Sequence, residues 1–341
     1  AYVNTLGGAS GDMLLASLVD CGLDIAALSA TLSMIGDSKF QLQPRTEDRQ
    51  GVSGTYLDVL IDQNDNRKRT PSEFIDLVKA SQISQKSKSR CIDVFNLIGE
   101  AEGALHGEDP SKVHLHELGT MDTLIDVAGV VLALEMMSVE SVYCSPLPTG
   151  SGTVKTQHGL LPVPAPATAF MMAVKNIPCY PPPSHMPSTG EMVTPTGMAL
   201  LATLAEFSQP VMKIDTIGYG LGTRNPESYP NVLSIWIGEI VASGNQNGIV
   251  LLETNLDDTT GETLGYVQEN LLKIGARDVW FTPIQMKKNR PGITMSCLID
   301  ESDKTKIADF IMLETSTLGI SCLLYTSDAA DEGLGVDLGG R

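Results

Sequence analysis

Residues 249–275 read IVLLETNLDDTTGETLGYVQENLLKIG. An apolar run gives way to an acidic segment, and then Leu264, Val267, Leu271 and Leu272 recur at helical spacing until Gly275. Thr259 and Glu262 have the spacing of a capping box. The stretch therefore predicts a strand leading into a helix. Downstream, DVWFTPIQM (278–286) reads as a second strand, and ITMSCLID (293–300) alternates Ile293, Met295, Cys297 and Ile299 on one side. KTKIADFIMLE (304–314) is helical, and STLGI (316–320) begins a last strand. The order β-α-β-β-α-β is that of a ferredoxin-like split βαβ unit, and it sets the expected class as α+β.

Upstream, SGNQNG (243–248) predicts a linker at 244–248 between this unit, 249–321, and a larger, loop-rich α/β-type domain at 1–243. In the larger domain, AYVNTL is strand-like, and GGASGDMLLASLVDCG (7–22) is a turn entering a helix with Leu14, Leu15, Leu18 and Val19 on one face. TYLDVLID (55–62) is a strand, helices are expected over about 72–105, and Leu124, Val127, Val131 and Leu134 mark a core helix. Residues 145–196 are dense in Pro, Gly and Thr and read as a long loop region. At the other end, CLLYTSDAADE (322–332) matches one translated frame of a transposon-type sequencing adapter. Residues 322–341 are therefore read as library read-through and set aside from the fold.

The 341 residues suffice for two domains. A hydrophobic content of 42% with 19% charged residues excludes a disordered or fibrous chain. The formal charge of -18 argues against nucleic-acid or anionic-membrane partners. The most apolar stretch, residues 127–139, is too short to span a bilayer and contains Glu135. The six Cys form no C-x-x-C pair and no secretory leader is visible, which predicts a reducing, cytoplasmic setting.

The densest chemical constellation is HLHELGTMDTLID (114–126). In extended chain His114 and His116 project to one side, and Asp122 and Asp126 share a helix face. Two imidazoles with nearby carboxylates suit a borderline divalent ion such as Zn or Ni, and a cation between the Asp pair would relieve their repulsion. Solvated surface residues would give the same pattern, so spacing alone leaves both readings open. His158, Glu191, Thr194 and Thr196 add polar groups on loops. GGASGDM could hold an anion or be a plain turn with Ser10 as cap. In the second domain, Glu253, Asn255, Asp257 and Asp258 follow a strand, and Lys287, Lys288, Asn289 and Arg290 follow another. Carboxylates with cations suit a metal-bound triphosphate, and they equally suit a solvated charged surface.

In order, GGASGDMLLASLVDCG, VHLHELGTMDTLIDVAG, HGLLPVPAPAT, GEMVTPTGMALL, GYGLGTRN, LETNLDD and FTPIQMKKNRPG resemble the LarC family of nickel-insertion proteins of nickel-pincer cofactor synthesis. The resemblance runs from the first residues to about Ile320. It implies a lyase-type, CTP-dependent enzyme, acting as a homo-oligomer, that places Ni2+ into pyridinium-3,5-bisthiocarboxylic acid mononucleotide and so supplies lactate racemase-type apoenzymes. It also implies that CTP with Mg2+ or Mn2+ falls on the ETNLDD and KKNRPG segments. On this reading His114, His116, Asp122, Asp126 and His158 are the candidate nickel ligands, and Asp12 and Glu117 are the candidate bases for the ring proton, by residue type. A non-catalytic nickel metallochaperone and a metal-dependent hydrolase are the competing classes.

Overall fold

The computed structural model describes residues 1–36, 39–62, 65, 67–157, 159–182, 189–226, 229–241 and 249–324. The chain divides into two compact units, Ala1–Val241 and the remainder. The linker expected at 244–248 lies outside the described residues, as do residues 325–341 of the stretch read as foreign.

The first unit runs β1 (Tyr2–Asn4), α1 (Gly11–Asp20), α2 (Ile25–Leu32), β2 (Phe40–Arg49), β3 (Val52–Ile61), α3 (Pro71–Ala80), α4 (Gln85–His106) and α5 (Met121–Met136). It continues with β4 (Val142–Cys144), β5 (Leu147–Pro148), β6 (Thr153–Thr156), β7 (Gly159–Pro162), α6 (Pro166–Val174) and β8 (Cys179–Tyr180). It closes with α7 (Pro195–Leu204), β9 (Ala205–Glu206), β10 (Met212–Leu221) and β11 (Val232–Ile240). Seven strands form one mixed sheet in the order β2-β3-β10-β11-β1-β4-β9. The pairs β2–β3, β10–β11 and β1–β11 are antiparallel, whereas β3–β10, β1–β4 and β4–β9 are parallel.

Helix α1 lies on β10 and β11 and packs against α5. It can approach closely because two glycines of β10 face it. A Cβ on Gly220 would stand 2.0 Å from Met13 O, and one on Gly218 would stand 2.2 Å from Ser17 O. The Ser17 hydroxyl completes the seam, donating to Met13 O at 2.8 Å and to Leu233 O at 3.1 Å. Leu14, Leu15 and Leu18 are thereby driven into the core. The expected one-sided apolar face of α5 understates its burial: every residue from Met121 to Leu134 except Asp122 is buried, because α1, α2, α4 and α7 surround it. The loop region expected over 145–196 contains a real helix, α6, entered through Pro166 at its first turn.

The second unit runs β12 (Ile249–Leu256), α8 (Gly261–Ile274), β13 (Asp278–Met286), β14 (Arg290–Asp300), α9 (Lys304–Glu314) and β15 (Ser321–Leu324). Its sheet has the order β13-β14-β12-β15 with every pair antiparallel. Val250, Leu252, Val267, Leu271, Cys297, Ile299, Ile307 and Ile311 form the core under α8 and α9. Two details differ from the sequence reading. The α8 cap is Thr260, whose side chain accepts from Thr263 N, so the Thr259–Glu262 box does not form. The last strand starts at Ser321 rather than within STLGI, so Cys322–Leu324 of the stretch read as foreign pair with Val250–Leu252.

Candidate functional site

Three helices of the first unit begin at one cleft of about 420 Å³: α1 at Gly11, α5 at Met121 and α7 at Pro195. Each helix start carries partial positive charge, which favours nearby carboxylates. Asp12 comes from α1, and Asp122 and Asp126 come one turn apart from α5. The two Asp residues share a face, as their i, i+4 spacing predicts. Asp126 is 7% exposed, and its Oδ1 has no hydrogen-bond partner among the described residues. Burial, then the charge of Asp122, then that of Asp12 raise its carboxyl well above the usual range. Asp122 is the more open of the pair, and desolvation in the cleft and the charge of Asp12 raise it as well.

Gly11 permits this crowding, since a Cβ there would stand 2.4 Å from Asp126 Oδ2. Ser10 occupies the N-cap position of α1, but its hydroxyl donates to the Asp12 carboxylate instead of capping the helix. It fixes an acid where a plain turn would have fixed a backbone N–H. Among the described residues, no three His, Cys, Asp or Glu side chains stand close enough together to hold a metal ion as they are placed.

A second cavity, of about 300 Å³, shares Glu117, Leu118, Glu191 and Pro195 with the first. Its lining is mostly apolar, with His106 and His116 in tilted contact at 5.2 Å between ring centroids. His106 Nε2 lies 3.4 Å from Glu102. The structure does not bring His114 and His116 together at the carboxylate cleft. Val113 and Leu115 are buried, so His114 and His116 do face outward together, but the chain bends as His116 N donates to His114 O at 3.0 Å. His114 is left exposed and lines neither cavity, whereas His116 turns to His106 and away from the Asp pair. His158 lies outside the described residues. Glu117 is exposed at the shared wall, where it accepts from Gln157 N at 2.9 Å.

Glu191 is the residue whose weight the sequence understated. Its loop is held by the bridges Ser151↔Gly190 and Ala9↔Val193, which carry it into both cavities. Burial pushes its carboxyl up to about 7, against the pull of Arg224 and with help from Glu117. The folded chain thus keeps a proton that the unfolded chain has released above its ordinary value of 4.5. Stability therefore falls as pH rises from about 4.5 to about 7 and is flat, with the whole penalty present, above that. Glu191→Gln is expected to remove this slope and to gain on the order of 2–3 kcal/mol at pH 8. Urea unfolding of both chains at pH 5 and pH 8 checks it; equal slopes would refute it.

The second unit carries its own cavity, of about 780 Å³, lined by Glu253, Asn255, Asp257, Asp258 and Lys287. Neighbours orient each acid or amide. Ser296 donates to Glu253 at 2.8 Å, Thr294 to Asn255 at 2.6 Å, Ser316 to Asp258, and Arg290 meets Asp257 at 3.4 Å. Of the basic run, Lys287 lines the cavity and Arg290 pairs with its acid. Lys288 and Asn289 form the turn at φ 60° and 54° and are not part of the lining.

The family model described as nickel insertion protein matches residues 1–327. A putative nickel insertion protein of Dictyoglomus thermophilum is 39% identical over 321 residues, covering 94% of this chain and 81% of that one. A Thermotoga protein named pyridinium-3,5-bisthiocarboxylic acid mononucleotide nickel insertion protein is 38% identical, covering 93% and 80%. Among solved structures, the apo C-terminal domain of a cyclometallase involved in the synthesis of the NPN cofactor of lactate racemase is 46% identical over 23% of this chain and 54% of that one, with a TM-score of 0.23.

Proposed function

Because the chain belongs to the nickel insertion protein family, we propose that it inserts Ni2+ into pyridinium-3,5-bisthiocarboxylic acid mononucleotide in a CTP-dependent reaction. Nickel is the substrate metal, and the product would serve lactate racemase-type enzymes. The observation that carries this reading is Asp126, a buried carboxylate with an unpartnered oxygen in a cleft shared with Asp12 and Asp122. Repelling acids stand apart without a cation and draw together around one, so this trio replaces the histidines as the proposed nickel seat.

Insertion breaks a ring C–H bond, and its electron pair becomes the bond to nickel without a change of oxidation state. The proton needs an acceptor. Asp12 is taken up by the metal in this scheme, and Glu117 is exposed. Glu191 lines both cavities and titrates near neutrality, so it accepts and releases a proton most readily. The test is incubation of the full chain with acceptor, Ni2+ and each nucleotide, followed by product mass. A nickel-bearing product that appears only with CTP supports the reading. Nickel binding with no product favours a metallochaperone, and phosphoester turnover without nickel favours a hydrolase.

The cavity of the second unit is the proposed seat of CTP with Mg2+ or Mn2+. Asp257→Asn should weaken CTP binding roughly tenfold by loosening the metal, and Lys287→Ala should do so by a similar factor through a lost phosphate contact. Titration calorimetry in Mg2+ or Mn2+ reads both. Unchanged affinity in both variants would place the nucleotide elsewhere.

A further inference from the structure

We propose that the cavity between α4, the β6–β7 hairpin and the start of α6 seats the planar cationic ring of the acceptor, beside the nickel held by the carboxylate cleft; this rests on the nickel-insertion reading. Three observations lead there. The cavity shares a wall with the acidic cleft, formed by Glu117, Leu118, Glu191 and Pro195, so a ring in one presents its edge to a metal in the other. Its lining is largely apolar, from Leu105, Val154, Leu161 and Ala167, which suits the two faces of a flat ring. Its charged lining residues among the described residues are Glu102, Glu117 and Glu191, with no Lys or Arg among them, which suits a ring bearing positive charge.

Size fits the same occupant. About 300 Å³ is at the low end of small-molecule pockets, room for a substituted ring with its ribose phosphate left toward solvent. The acceptor's two thiocarboxylates are anionic, and the glutamates of the shared wall repel them until a dication sits beyond it. Nickel therefore binds first, and metal and acceptor strengthen each other's binding by the same factor.

The probe is pyridinium-3,5-dicarboxylic acid mononucleotide, which keeps the ring and its charges but has oxygen in place of sulfur. It is titrated into the nickel-loaded full chain by calorimetry. Val154→Trp fills the cavity from the half-buried face of β6, and Leu105→Trp does so from the last turn of α4, where Leu105 is 45% exposed and an enlarged side chain is tolerated by the fold. Each should weaken the probe at least tenfold while leaving Ni2+ affinity within twofold. Probe affinity unchanged in both variants, or no binding to the nickel-loaded wild type, overturns the seat. The two readings fail separately. A wild type that makes no nickel–carbon product yet loses probe binding on filling keeps the seat and loses the activity. One that makes product while the filled variants bind normally does the reverse.

Discussion

Replacing Asp126 with Asn is expected to move stability and metal binding in opposite directions. In the metal-free chain the carboxylate is buried, one of its oxygens lacks a partner, and Asp122 and Asp12 repel its charge. Because its folded value is raised, ionising it costs stability at any pH above the ordinary carboxylate range, and an amide of the same shape escapes that cost. The thermal midpoint of Asp126→Asn at pH 7.5 should rise by roughly 2–4 °C, the shift that about 1 kcal/mol gives in a unit of this size. Nickel should then fail to add to it. In the wild type, Ni2+ at a hundredfold excess over its dissociation constant adds about 2.7 kcal/mol. The variant, and more so Asp122→Asn with Asp126→Asn, should show little or none and bind Ni2+ at least a hundredfold more weakly. Differential scanning calorimetry with and without Ni2+ reads both halves. A variant that keeps the nickel-induced rise would remove the carboxylate trio from the metal seat.

The largest loss of stability is expected at Gly220. A Cβ there would meet Met13 O at 2.0 Å, Ser17 Oγ at 2.5 Å and Ser17 N at 2.8 Å, and two of these three atoms are helix backbone that cannot swing aside. Only a rigid shift of α1 makes room, and it would lift Leu14, Leu15 and Leu18 from the core. Gly220→Ala should cost roughly 3–5 kcal/mol, and Gly220→Val should leave too little of a typical 5–15 kcal/mol for a cooperative fold. Urea denaturation followed by far-UV circular dichroism measures it. A loss under about 1 kcal/mol would mean that α1 does not bear on β10 as described. Since α1 also carries Asp12, a chain that survives as Ala should bind nickel poorly.

Local pattern made much of this molecule legible. The apolar spacing of α5 and α8, the Gly275 that ends α8, and the alternation in ITMSCLID follow from short-range rules. The pairing of Asp122 with Asp126 follows from helix geometry alone. Strand β2 escaped because FQLQPRTEDR is a mostly polar edge strand whose apolar alternation is limited to Phe40, Leu42 and Pro44; its long pairing with β3 fixes it. Glu191 was seen as a polar loop group, but its weight escaped for another reason. Its burial depends on bridges to residues 9 and 151, and no window around it contains them. The two histidines parted because one backbone hydrogen bond at His116 bends a segment whose alternation is otherwise that of a strand. Spacing predicts which residues share a side; a turn decides where that side points.

Strand β1 occupies an interior place in its sheet, between β4 and β11, although it comes first in the chain. Tyr2 stands opposite Tyr143 on one side and Trp236 on the other, so the two partners it needs emerge from the ribosome about 140 and 230 residues later. Until then the strand is a short apolar ribbon with both edges unsatisfied. The sheet can close only near the end of the first unit's synthesis, and such a high contact order implies slow closure. The helices between can collapse earlier, since their contacts are nearer in sequence. Refolding should therefore show early helix formation followed by a slower locking phase reported by Trp236, and a nascent chain paused before β11 should be a preferred client of chaperones.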